Sequence, residues 1–223
     1  MRAKAHQRDQ TIDFLRGVSL LLMMVTHLPP TPMHRLSFQP FGFFTDAFVF
    51  VFLSGYVCSW RLASLVESKG WRRARKSIAR RVVLLMGIHH GIATAIALCA
   101  YFIPATEEAM LVLGRYYPTP WPALAMEFLF LNQTVFLDIL TFFILLLPIV
   151  LLCVWFFRRG WTAFVLWSSA LLWLSVQFEI TPGIVERLNR FTTLHVGAWQ
   201  ILFVYGAWLG YRRYQGLKFE FLK

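Results

Sequence analysis

The stretch 8-RDQTIDFLRGVSLLLMMVTH-27 holds an apolar run long enough to enter a bilayer, yet it carries Asp13 and Arg16 near one end and His27 at the other. An α-helix needs about 17–25 mostly apolar residues to cross the hydrocarbon. A charged group within such a helix is costly and survives where it has a partner or a task. Asp13 and Arg16 are spaced i,i+3, so they can pair on one helical face. His27 lies fourteen positions beyond Asp13, about 21 Å along a helix, so these two cannot share a hydrogen bond. From the residues alone, the pair is either an anchor for the helix end or part of a site. His27 is either an interfacial residue or a working one.

The rest of the chain repeats this apolar character. Its 223 residues are 58% hydrophobic and only 15% charged, more apolar surface than a soluble domain of this size can hide. Six apolar segments are expected as spans, over 12–29, 41–60, 82–103, 135–157, 161–179 and 194–211. The segment 104–133, rich in Pro and aromatics, is expected at the outer interface, in part as a short amphipathic helix, with Trp121, Tyr116 and Tyr117 in the aromatic belt. The expectation is an all-α, polytopic membrane helical bundle of about six transmembrane helices, one membrane domain over 1–223. No ten-residue alternation of a membrane barrel is present.

The net charge of +11 would suggest nucleic acid in a soluble protein. Here the basic residues flank the apolar segments, which points to lipid headgroups and excludes a nucleic-acid partner. Arg2, Lys4 and Arg8 precede the first span. Lys69, Arg72, Arg73, Arg75, Lys76, Arg80 and Arg81 fill the second-to-third connection. Arg158 and Arg159 fill the fourth-to-fifth, and Arg212, Arg213 and Lys218 follow the sixth. The opposite loops carry Glu107, Glu108, Glu127, Glu179 and Glu186. Six spans with both termini cytoplasmic satisfy the positive-inside rule at every crossing. A cleaved signal peptide is not expected, because 28-LPPTPM-33 lacks a small-residue cleavage site and Asp13 and Arg16 interrupt the apolar run.

Cys58, Cys99 and Cys153 all lie in apolar segments, an odd and dispersed set expected to act as small packing residues. In 80-RRVVLLMGIHHGIATA-95, two arginines enter the third span and His89 lies roughly 13 Å deeper. One reading has His89 or His90 bonding a neighbouring helix, with Gly87 and Gly91 allowing close approach. No metal site is expected, since adjacent histidines diverge by about 100° on a helix and no acid or thiol cluster joins them. Asp46 and Asp138 lie toward the outer side, Asp138 at a depth comparable with His27. Gly55, and the Gly206 and Gly210 of a GxxxG in the sixth span, read as helix-packing residues. The polar residues thus sort into a cytoplasmic-side basic group, Arg16, Arg80 and Arg81, suited to phosphates, and an outer group, His27, Asp46 and Asp138, suited to general-base chemistry.

RDQTIDFLRG followed by His27, then 50-FVFLSGY-56, the double arginine with its histidine, 136-FLDIL-140 and 198-AWQILFVYGAWLG-210, in that order, resemble the OpgC-type family. These are succinyltransferases of osmoregulated periplasmic glucans, within the acyltransferase-three superfamily. The resemblance implies transfer of an acyl group, possibly succinyl, from cytoplasmic acyl-CoA to a periplasmic glucan hydroxyl. It places the chain in a bacterial inner membrane, with no bound cofactor and with succinyl-CoA as one candidate donor substrate. By position, His27 is the residue that activates the acceptor, while Arg16, Arg80, Arg81 and His89 belong to the acyl-CoA side. Asp138 matches the acid of the family's DIL and is expected to orient His27 or meet the glycan. Asp13 and Asp46 are expected to orient neighbours. Where the family often has Glu, this chain has Phe48, and Asp46 lies about 200° around the helix from it. Family members usually have about ten spans, so the chain is expected to be short relative to them. The competing readings are a transporter or flippase of an anionic or glycan substrate, and a non-catalytic truncated remnant.

Overall fold

A computed structural model describes residues 10–26, 45–102, 120–129, 137–178, 180 and 195–216. The all-α expectation holds: these residues form six helices and their turns, with no strand among the described residues. They are α1 (Gln10–Thr26), α2 (Asp46–Phe102), α3 (Pro120–Phe128), α4 (Asp138–Arg158), α5 (Thr162–Gln177) and α6 (Val196–Tyr214).

The second and third apolar segments are not separated by a loop. They are two limbs of α2, and the basic connection between them is helical except at Gly70. The residues on either side, 61-RLASLVESK-69 and 71-WRRARKSIARR-81, contain no proline and many strong helix formers, so charge alone does not open the chain. Gly70 has φ 76° and ψ 167°. That region is essentially closed to residues with a Cβ, at a cost of about 1–3 kcal/mol. Gly70→Ala is therefore expected to lower the melting temperature of the purified chain by several degrees, roughly 2–4 °C per kcal/mol at this size. An unchanged melting temperature would show that the break does not depend on glycine.

Helix ends follow from local chemistry. Asp46 and Asp138 are the first residues of α2 and α4, where a carboxylate is favoured by the helix dipole. At the end of α4, Gly160 has φ 81°. Its N–H donates to the Phe157 carbonyl at 3.1 Å, and the Trp161 N–H donates to the Phe156 carbonyl at 3.0 Å. This is a Schellman cap, and the apolar contact that usually accompanies one is the Phe156–Trp161 ring pair at 5.9 Å.

The chain divides into two compact units. One comprises Met1–Ala74, Val150–Leu171 and Trp199–Lys223, and the other comprises Arg75–Ile149 and Leu172–Ala198. The first unit is built on close contact between the first limb of α2 and α6. A Cβ on Gly55 would fall on the Phe203 carbonyl, one on Gly206 on the Phe52 carbonyl, and one on Gly210 on the Tyr56 carbonyl. Three glycines thus bring two backbones together, a geometry in which dispersion and weak Cα–H···O contacts hold helices. Tyr56, Val57 and Trp60 are buried beside this seam, with Ile12, Leu209 and Tyr214 packed on them. Ser169 and Gln200 close α5 onto α6. The Ser169 hydroxyl donates to Gln200 Oε1 at 2.7 Å, and Gln200 Nε2 donates to the Ser169 carbonyl at 2.8 Å.

In the second unit, α3 runs antiparallel to the second limb of α2. Tyr101 meets Trp121 at 5.4 Å, and His90 stacks on Phe128 at 4.4 Å. Gly87 and Gly91 do not serve as contact points, because no described atom would lie within 4 Å of a Cβ on either. Cys58 and Cys153 are buried as expected, while Cys99 is exposed.

Among the described residues, α2 and α4 are long and apolar enough to cross a membrane, and α5 is a shorter apolar helix. Only 17% of the most apolar stretch of α2 is covered by protein. Val83, Leu84, Phe164, Trp167 and Leu171 are likewise exposed.

Candidate functional site

The titratable residues fall into two groups, one in each unit. In the first unit, the Asp13–Arg16 pairing expected from their spacing is present, with Arg16 Nη1 at 3.9 Å from Asp13 Oδ1. The structure adds a member that the sequence reading missed. Arg61 Nη2, from the first limb of α2, lies 3.5 Å from Asp13 Oδ2. The Arg16 guanidinium also lies over the Phe50 ring at 5.7 Å, and Arg213 of α6 lies over Trp60 at 5.5 Å. Asp13 therefore carries a guanidinium at each oxygen, and a third cation is held on the residue that precedes Arg61. The signal for Arg61 was its place just after the apolar run 41–60. Two helices that pack antiparallel bring the end of one beside the start of the other.

A different charge pair shows what an ordinary surface contact looks like here. Arg158 Nη2 donates to Glu67 Oε2 at 3.0 Å, one cation on one carboxylate.

Asp46 is almost completely buried at the start of α2. Two residues on, where the family often has Glu, Phe48 instead packs edge-on against Trp199 at 4.8 Å. That position is apolar in this chain and is filled by an aromatic contact between α2 and α6.

In the second unit, Arg80 and Arg81 are exposed on the second limb of α2. His89 is buried, with its ring edge-on to His90 at 5.2 Å, and His90 continues the stack onto Phe128. The His pair is thus part of an aromatic column against α3. Asp138 is half-buried, and its Oδ1 accepts from the Ile139 N–H at 3.0 Å. This local bond and the helix N-terminus account for a carboxylate there without reference to chemistry. His27 lies outside the described residues, as do 104–119 and 130–133 of the interfacial segment.

The family model described as OpgC protein matches residues 8–221, which takes in every residue placed above. The chain belongs to the OpgC protein family. No curated protein and no solved structure matches it. In this OpgC-family chain the helix that opens the matched region carries Asp13 and Arg16 into the first unit, and the last matched helix brings Arg213 to the same core. Sequentially distant parts of the family match thus meet around one carboxylate and one indole.

Proposed function

We propose that this OpgC-family chain is a membrane O-acyltransferase. It takes an acyl group, succinyl in the activity for which the family is known, from cytoplasmic acyl-CoA and places it on a hydroxyl of a periplasmic glucan. The observation that carries this reading is the family match over residues 8–221. The exposed apolar surface of α2 and α5 supports a lipid environment, because a soluble protein buries such helices. On this reading the six apolar segments are six spans of an inner-membrane protein with both termini in the cytoplasm, in keeping with the distribution of arginine and lysine.

The chemistry divides by side. Arg80 and Arg81, with His89 on the same limb of α2, meet the donor's phosphates from the cytoplasmic side, and Arg16 is a further basic residue of that side. His27 removes the proton from the acceptor hydroxyl as its oxygen attacks the thioester carbonyl. The new C–O ester bond forms, the C–S bond breaks, and the CoA thiolate leaves and takes up the proton that imidazole accepted. Asp138 orients His27 or contacts the glucan.

The test supplies membranes carrying the chain with acyl-CoA labelled in the acyl group and with glucan. Label is expected in the glucan as a base-labile ester, well above the level from membranes that lack the chain. Equal labelling in the two would refute the acyltransferase. Accumulation of unmodified glucan or anion across the membrane, without ester, would favour transport instead.

A further inference from the structure

We propose that Lys76, with Arg75 beside it, holds the headgroup phosphate of one anionic phospholipid whose acyl chain lies along Val83 and Leu84. The inference rests on the membrane placement proposed above and makes no use of acyl transfer.

Exposure comes first. Between residues 82 and 99 only His89, Ala93 and Ala97 are buried, at a spacing of i, i+4, i+8. The second limb of α2 is therefore held to protein along one narrow stripe. Lys76 lies thirteen residues before His89, which puts it about 140° away around the helix. Val83 is seven residues past Lys76, two turns or about 10 Å along the axis, so the two share a face. Lys76 is exposed, Val83 is 67% exposed, and Leu84 beside it is 61% exposed.

Charge comes second. Arg75 and Lys76 are both exposed, and among the described residues no carboxylate pairs with either. Arg158, by contrast, has Glu67 at 3.0 Å. Arg80 stands one turn beyond Lys76 and is assigned to the donor above, so the site is defined without it.

The occupant follows from these two facts. A cation with apolar residues two turns deeper suits a phosphate at one end and a hydrocarbon chain at the other. A free phosphate would make no use of Val83 or Leu84. A second copy of this face would set lysine against lysine, and like charges repel. A zwitterionic lipid would bring an ammonium of its own to the two cations. Charges scattered through loops attract headgroups diffusely, whereas here one helix fixes the distance between the two ends.

The experiment uses the full chain purified in an uncharged maltoside detergent. It is incubated with equal amounts of phosphatidylglycerol and phosphatidylcholine of the same chain length. Lipid retained per chain after gel filtration is counted by mass spectrometry, and melting is followed in parallel. Wild type is expected to retain phosphatidylglycerol about tenfold over phosphatidylcholine at low salt, with the preference falling as salt is raised. Lys76→Gln is expected to melt with wild type and to lower the preference about threefold to fivefold. Arg75→Gln and Lys76→Gln together are expected to bring the two lipids near equal retention. Lys76→Arg keeps the charge and is expected to keep the preference. Lys69→Gln removes one charge from the same basic tract outside the site, and is expected to leave most of the preference in place.

An equal loss in Lys69→Gln and Lys76→Gln would mean diffuse attraction and would overturn the site. Equal retention of both lipids by wild type overturns the site and leaves the membrane placement standing, while retention of neither overturns both. Displacement of the retained lipid by inorganic pyrophosphate at equal concentration assigns the cations to a free phosphate and likewise overturns the lipid. Absence of acyl transfer would refute the function proposed above and leave this site standing.

Discussion

Gly206→Val is expected to lower the stability of the folded chain by a large share of its total. A Cβ at this position would fall on the Phe52 carbonyl, a backbone atom that cannot rotate aside. Valine can be admitted only if α6 and the first limb of α2 move apart. That movement would also open the neighbouring contacts of Gly210 with Tyr56 and of Gly55 with Phe203. Overpacking of a close-fitted contact costs about 1–3 kcal/mol and more where backbone must shift. Against a total stability of about 5–15 kcal/mol this is a large share. The melting temperature should fall by roughly 6–12 °C, on the scale of 2–4 °C per kcal/mol at this chain length. Gly91→Ala is the matched control. It adds the first carbon of that side chain where no described atom lies within 4 Å, and alanine is the better helix former by about 1 kcal/mol. Its melting temperature should stay level or rise. A Gly206→Val chain that melts with wild type would remove the close seam between α2 and α6.

His27→Ala is expected to reduce acyl transfer about 10²–10⁴-fold, the range that a positioned general base contributes. The loss should appear in kcat. The KM for acyl-CoA should hold, because the donor's phosphates are assigned to other residues, of which Arg16 lies eleven positions before His27 in the sequence. Arg16→Gln, on the donor side of the proposed reaction, should show the reverse split, with KM for acyl-CoA raised and kcat largely kept. Comparing the two variants in one assay therefore separates acceptor activation from donor binding. Wild-type turnover in His27→Ala would sink the general-base assignment, and a rise in acyl-CoA KM without loss of kcat would move His27 to the donor side.

The Asp13–Arg16 pairing was legible because its signal is local. Asp13 and Arg16 are one helical turn apart, so their pairing needs only a helix. Asp138 was likewise read at the opening of its helix, where a carboxylate is stabilised, whereas Asp46 was read inside a span starting at 41 and is the first residue of α2. Arg61 was not named, because its partner lies on another helix. The basic tract 69–81 was expected as a loop and is helical, because local propensity acts on the backbone whatever the net charge.

Glycine shows most clearly where the two levels part. Gly87, Gly91, Gly55, Gly206 and Gly210 all sit in apolar helices and read alike in the sequence. The first two have no described atom within 4 Å of where a Cβ would stand, and the other three bear a backbone-to-backbone contact. The sequence by itself determined that the described apolar segments are helical, how apolar they are and which charges fall within one turn of each other. Each of these depends on residues a few positions apart. Only the tertiary structure decided which helix faces meet, and with that the seam of α2 on α6 and the second guanidinium on Asp13. Those choices depend on complementarity between surfaces far apart in the chain, and no spacing along it encodes them.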